Sequence, residues 1–226
     1  MPTPDAAADA AAGLETARFL LDIKAVNFRP EQPYILTAGW ASPVYIDCRR
    51  VISFPAARKR IIQLAVAKLE RDIGFKSIDA VAGGETAGIP YAAWIAEAVS
   101  KPMLYVRKKP KGFGRDAQIE GNPEEGSRAL LVEDLATDGG SKIVFIEGMR
   151  KAGLTVTDAF VVFFYSAFAG ALDTLKKEGV RLHWLATWKD VLQVAADGKY
   201  FPAAAIDGVR AFLDDPAGWS KTHGGK

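Results

Sequence analysis

Through its middle, the chain alternates short, almost continuous apolar runs with longer segments in which apolar residues recur every three or four positions. SIDAVAG (77–83), PMLYVRK (102–108), RALLVED (128–134) and TVTDAFVVFFY (155–165) read as strands, and GIPYAAWIAEAVS (88–100) and GGSKIVFIEGMRKAG (139–153) as helices. A strand apolar at both parities is buried on both faces. That burial is supplied by a mainly parallel sheet with helices on each side, the α/β class. Ligands of such sheets bind at the carboxyl ends of the strands, so the loops that follow the strands are where chemistry is expected.

Three pieces surround or divide this pattern. Residues 1–13, MPTPDAAADAAAG, carry acids and no basic residue, unlike a signal or transit peptide, and are expected to be a frayed tail. Residues 14–60 open on the helical LETARFLLDIKAV and continue through PYILTAGWASPVYIDCRRVISFP, where Pro and Gly break the chain into short extended segments suited to a hood or lid. The α/β core is expected over 61–180 and a C-terminal extension over 181–226, ending in the tip SKTHGGK, whose composition suggests disorder.

Composition narrows the function. At 226 residues, 49% hydrophobic and 25% charged, the chain can bury the core of one main domain. A net charge of +2 argues against a nucleic-acid partner, since the cations of VRKKPKGFGR are a local cluster. The lone Cys48 cannot form an internal disulfide and, with only two His, cannot build a Cys/His metal centre. A metal would then be a hard cation held by oxygens. The apolar stretch 159–172 is shorter than the roughly 18 residues of a membrane span, and a cytoplasmic location is expected.

Three loops follow strands. GGETAG (83–88) joins a strand to a helix, so its amides can converge on an anion; Ile89 and Pro90 stand where a Walker motif needs Lys and Ser/Thr. Residues 108–126, KKPKGFGRDAQIEGNPEEG, are too long for an ordinary connection and suit a lid or binding loop. In LLVEDLATDGGSK, the amides of 138–141 with the hydroxyls of Thr137 and Ser141 can cradle a phosphate, while Glu133 and Asp134 accept hydrogen bonds from a ribose diol. A sugar held between two phosphate groups fits this order.

AGGETAGIPYAAWIAEAV, YVRKKPKGFGRDAQIEG and LLVEDLATDGGSK, preceded by AGWASPVYIDCR, resemble the type I phosphoribosyltransferases, and among them the orotate phosphoribosyltransferases, over about residues 20–200. The resemblance implies that family's fold, with a small N-terminal hood and a C-terminal extension. It also implies transfer of the phosphoribosyl group of 5-phosphoribosyl 1-pyrophosphate (PRPP) to orotate, giving orotidine 5'-monophosphate and pyrophosphate for pyrimidine (UMP) biosynthesis. Carried over residue by residue, it gives Thr137, Asp138, Gly139, Gly140 and Ser141 the 5'-phosphate, and Glu133 and Asp134 the ribose hydroxyls. Glu85, Thr86 and Ala87 would hold pyrophosphate, approached by Arg107, Lys108 and the catalytic Lys111. Thr137, Ser42, Tyr45 and Ile46 would border orotate. Mg²⁺ would be held mainly by substrate oxygens and water, and Lys111 would reach the site from the second subunit of a homodimer. The chain departs from the family at Phe113, where a loop His is common, at Thr37 and Ala87, where Lys is common, and in VVFFYSAF, which lacks a strand-end Arg. These departures leave open a different base, such as a purine, or a PRPP-binding regulator without catalysis.

Overall fold

The computed structural model describes residues 4–36, 39–110, 118–122, 124–137, 139–168 and 170–226. Helix α1 (Pro4–Asp22) leads into a hood of four short strands, β1 (Val26–Phe28), β2 (Tyr34–Ile35), β3 (Ala41–Ser42) and β4 (Val44–Ile46). A 3-10 turn, Cys48–Ser53, and α2 (Pro55–Asp72) connect it to the core. The core runs β5 (Ala80–Gly84), α3 (Gly88–Val99), β6 (Met103–Val106), β7 (Ile119–Glu120), β8 (Ala129–Ala136), α4 (Gly140–Lys151), β9 (Asp158–Phe164), α5 (Ala171–Lys177) and β10 (Arg181–Thr187). Three helices follow: α6 (Trp188–Asp197), α7 (Ala203–Asp214) and α8 (Pro216–Thr222).

The apolar runs form one sheet in the order β10-β9-β8-β5-β6-β7, parallel except for the edge strand β7. Strand parity assigns the two covering layers. Val81, Leu130, Val132, Phe160 and Val162 pack with the first three helices and α6, whereas Ala82, Leu104, Leu131 and Ala159 pack with Phe145, Ile146 and Met149 of α4. From β5 the chain moves outward to β6 and then returns to β5's other side as β8. The crevice between β5 and β8 is therefore the topological switch point, where open α/β sheets bind ligands.

Four expected boundaries are corrected. Residues 4–13 belong to α1 and are not a frayed tail. The Ala-rich run is helix-forming by propensity, and Asp9 pins it by accepting from Lys68 at 2.8 Å and from Arg71. The division at 60/61 falls inside α2, and that at 180/181 detaches a strand that belongs to the core sheet, β10. The tip is ordered by contacts too distant in sequence to be read from it: residues 216–222 are helical, and Lys226 N–H donates to the Gly39 carbonyl at 2.9 Å.

At the amino ends of the strands, away from the crevice, Asp158 is the centre of a buried ionic cluster. It accepts from Thr157 and Arg128 at 2.7 and 2.8 Å, and it lies 2.9 Å from both Arg181 and the His183 ring, whose other nitrogen faces Asp72 at 2.8 Å. Burial opposes its charge, but hydrogen bonds from His183, Arg128 and Thr157 and the charge of Arg181 outweigh that and hold its carboxyl well below the usual range. A depressed carboxyl stabilises the fold above its unfolded value of about 4, and that contribution is lost as pH falls through the folded value. Asp158→Ala, which strands these cations, should cost about 3–5 kcal/mol in urea unfolding at neutral pH while leaving PRPP affinity unchanged.

Candidate active site

Strand β8 carries the acidic pair. It was expected to end at Asp134, but it runs on to Ala136, so alternation sends the two side chains to opposite faces of the sheet. Glu133 shares the parity of Leu131 and faces α4, where Lys142 Nζ lies 3.7 Å from its Oε2; its buried Oε1 has no hydrogen-bond partner among the described residues. Asp134 shares the parity of Leu130 and Val132 and lies in the field of Arg49 and Asp47, on the hood side. One ribose meets both acids only by lying across the strand's end. Burial pushes the Glu133 carboxyl up to about 7, Lys142 and Lys108 opposing the rise and Asp134 adding to it. Asp134 is also raised by burial, against the charges of Lys142 and Arg49.

The two anion loops lie side by side because Gly83 of β5 is in register with Val132 of β8. A Cβ on Gly84 would overlap the Glu133 carboxylate, and one on Gly88 would overlap the Val132 carbonyl, so this approach requires glycine at both. Helix α3 begins after Ala87 and α4 after Gly139, and neither position supplies a side-chain cap. Two positive helix ends therefore converge on the crevice, which is the physical basis for holding two anionic groups.

Glu85 bridges two of the loops that follow strands. Its Oε2 accepts from the Lys108 amide at 2.8 Å, tying the pyrophosphate loop to the root of the long loop, while Thr86 is exposed beside it. The root itself is closed: Arg107 N–H donates to the Gln118 carbonyl at 2.8 Å, and Gln118 Nε2 donates back to the Arg107 carbonyl at 2.9 Å. Arg107 keeps a buried Nε without a hydrogen-bond partner among the described residues, and its Nη1 lies 3.6 Å from Glu120.

A cavity of about 800 Å³ opens at the ends of β8 and β9. The hood supplies Leu36, Trp40, Tyr45 and Ile46, the sheet supplies Leu135 and Thr137, and Tyr165, Ala167 and Phe168 follow β9. Tyr45, Ile46 and Thr137, three of the residues expected to border the base, thus line one cavity. Ser42 is not among the lining residues, and its buried hydroxyl donates to the Val44 carbonyl at 2.9 Å within the hood turn. Among the described residues no Lys, Arg or His lines this cavity. Arg49 reaches its edge, donating to the Tyr45 hydroxyl at 3.2 Å and to Asp47 at 2.9 Å.

Lys111 and Asp138, like Thr37 and Phe113, lie outside the described residues. Two residues near the site carried no assignment from sequence. Lys142 directly follows the phosphate loop, is buried, and donates to the Leu135 carbonyl; its only local signal was a Lys immediately after GGS. Arg49 closes the hood motif YIDCR. Gly139 and Gly140 stand at the start of α4, and Ser141 Oγ lies 3.4 Å from Lys142 Nζ.

No family model matches the chain. The orotate phosphoribosyltransferase of Sinorhizobium medicae is 51% identical over 209 residues, 92% of this chain and 90% of that one. The chain belongs to the orotate phosphoribosyltransferases. Among solved structures, the orotate phosphoribosyltransferase of Aeropyrum pernix superposes with a TM-score of 0.68 at 33% identity, covering 80% of this chain and 99% of that one. Leishmania donovani UMP synthase gives 0.76 at 29% identity over 89% of this chain, which spans 42% of that longer protein. Membership of the orotate phosphoribosyltransferases matches the order found here, in which a hood, two anion loops and an acidic strand end surround one crevice. No helix among the described residues is long and apolar enough to cross a membrane.

Proposed function

We propose that the protein transfers the phosphoribosyl group of PRPP to orotate, forming orotidine 5'-monophosphate and pyrophosphate in cytoplasmic pyrimidine (UMP) biosynthesis. The observation that carries this reading is the convergence of two helix N-termini, at Ala87 and Gly139, on the strand end that holds Glu133 and Asp134, beside a cavity walled by the hood. The loop at 137–141 takes the 5'-phosphate, the acids take the ribose hydroxyls, and the loop at 84–88 takes the pyrophosphate, with Arg107 and Lys108 at its edge. The planar base then lies between Tyr45, Ile46 and Thr137.

In the reaction, a ring nitrogen of orotate forms a bond to C1' and gives up its proton to the departing pyrophosphate or to solvent, as the bond from C1' to the pyrophosphate oxygen breaks and pyrophosphate leaves with the electron pair. Positive charge builds on the ribose and negative charge on the leaving group, so stabilisation is mainly electrostatic. The acids position the ribose beneath that charge. Arg107, Lys108 and Lys111 compensate the leaving group, and closure of the long loop excludes water from C1'. No group of three or more His, Cys, Asp or Glu among the described residues is placed to hold a metal, whereas the unpartnered Glu133 Oε1 suits an acceptor for a substrate hydroxyl. This donor set fits Mg²⁺ carried on PRPP oxygens and water, where it would neutralise pyrophosphate charge.

The active unit is proposed to be a homodimer in which Lys111 enters the partner's site. Orotate is favoured over a purine by the hood residues Tyr45 and Ile46 on the cavity wall and by the relatives' identity. The direct test is Mg²⁺-dependent loss of orotate in the presence of PRPP, with adenine, guanine and hypoxanthine as competing bases. Turnover of a purine but not of orotate would overturn the assignment, and PRPP binding without turnover of any base would favour a regulator.

The raised Glu133 predicts a pH dependence. A carboxyl with a value of about 7 is largely protonated at pH 6 and a full acceptor for ribose hydroxyls at pH 8. PRPP affinity should therefore rise across that interval and level off above it. The phosphates of PRPP titrate near pH 6 as well, so the comparison with Glu133→Gln isolates the protein's share. Calorimetric titrations should show the wild type gaining several-fold more affinity from pH 6 to 8 than the variant; equal gains would remove Glu133 from the ribose contact.

A further inference from the structure

The cavity has a fourth wall that neither the motifs nor the hood accounts for. Asp214, Asp215, Pro216 and Ala217, at the junction of α7 and α8, line it. This junction is far from the phosphate loops in sequence, and it shares the cavity with Leu36 and Trp40 of the hood.

The segment is fastened to the hood. Buried Ser220 Oγ accepts the Ala41 amide at 2.9 Å, and the Lys226 amide donates to the Gly39 carbonyl at 2.9 Å. Those two bonds bracket Trp40, the hairpin residue that lines the cavity and meets Phe168 edge-on at 5.7 Å. Trp219 stiffens the fastening from the other side, lying 5.5 Å from Phe212 at 81° and stacked on His223 at 3.7 Å and 4°. Gly225 is packed so closely that a Cβ there would overlap both the Ala41 nitrogen and Ser220 Oγ. Backbone approach of this kind excludes every residue but glycine.

We infer that residues 214–226 are the outer wall of the base site, and that their clasp on the hood hairpin positions Trp40 and so determines affinity for the base. The inference rests on reading this cavity as the orotate site. Its physical content is preorganisation: a hairpin held at both neighbours of Trp40 presents a fixed wall, whereas an unfastened one must be ordered by the base itself. The clasp bonds join residues 220 and 226 to the hood at 41 and 39, remote in sequence from the loops at 84–88 and 137–141, so binding of PRPP should sense the clasp far less than binding of the base.

The test separates the two substrates. Gly225→Val, which forces the clasp apart without touching the cavity, should raise KM for orotate about tenfold, the equivalent of one lost hydrogen bond with its ordering, while KM for PRPP stays within about twofold. Far-UV circular dichroism and a cooperative melt establish that the variant is folded. Should it fail to fold, Ser220→Ala removes only the acceptor of the Ala41 amide and should move the orotate KM in the same direction, by about threefold. Ala217→Phe, which fills the cavity from the wall itself, should also raise the orotate KM selectively. An unchanged orotate KM in folded Gly225→Val or Ser220→Ala, or parallel rises for orotate and PRPP, overturns the inference. Absence of orotate turnover in the wild type would instead overturn the functional reading on which it rests.

Discussion

Gly139→Val is expected to leave the protein folded and to lower its affinity for PRPP by about 100-fold or more, the effect of losing two charge-assisted hydrogen bonds. Gly139 has φ +81° at the start of α4, a conformation that β-branched residues avoid, and a Cβ there would meet the Ala171 carbonyl at 3.1 Å and Leu175 at 3.4 Å. Relief of both strains must shift the backbone at the start of α4, which the proposed function assigns to the 5'-phosphate. The cost to stability should be about 1–3 kcal/mol, too little to unfold a domain of this size. Gly170→Ala supplies the control: its φ is also +81°, but no atom lies within 4 Å of the added Cβ. That variant should lose some stability and keep its affinity for PRPP. Titration calorimetry with PRPP and with orotidine monophosphate reads both results, and unchanged affinity in folded Gly139→Val would refute the assignment of the phosphate loop.

Lys111→Ala and Asp134→Ala should each be nearly inactive, by about 100-fold or more, and yet regain about one quarter of wild-type activity when unfolded and refolded together in equal amounts. If each site combines Asp134 of one subunit with Lys111 of the other, a mixed dimer has one intact site and one with both lesions. Random pairing makes about half of the dimers mixed, and half of their sites are intact. The motive is the neck formed by Arg107, Lys108 and Gln118, whose hydrogen bonds bring the two described ends of the long loop together beside Glu85. Were Lys111 to act in its own subunit's site, every site in every pairing would carry one lesion. Activity that remains at the level of the separate mutants, in a sample shown by mass spectrometry to hold mixed dimers, would exclude the shared arrangement.

The elements legible in the sequence are those whose signals are local. VVFFY and ALLV are apolar at both parities and so must be buried on both faces, and the Gly-rich turns after β5 and β8 announce close approach of the backbone to something else. The order of those elements was enough to place two Gly-rich loops and an acidic pair at the carboxyl ends of strands in a parallel sheet. Local reading was weaker where polar and apolar residues mix. RLHWLAT, set apart as an extension, is an edge strand whose central His183 is buried only because Asp72 and Asp158 meet its two nitrogens. Likewise, the hydroxyl of Ser42 could be spent on the base or on its own turn, and the hood's geometry spends it on the turn.

By itself, then, the sequence determined the core strands, the Gly-rich loops that follow them and the position of the pair of acids, because hydrophobic periodicity, glycine spacing and charge act within a few residues. Only the tertiary structure decided that those acids face opposite sides of β8, that Lys142 is buried beside one of them, and that residues 214–217 wall a cavity shared with a hairpin near the other end of the chain. Each of these depends on where a strand ends or on contacts between segments far apart in sequence. Such contacts form only once the whole core has offset the entropy of closing the chain between them, and no local pattern records which partner a side chain then meets.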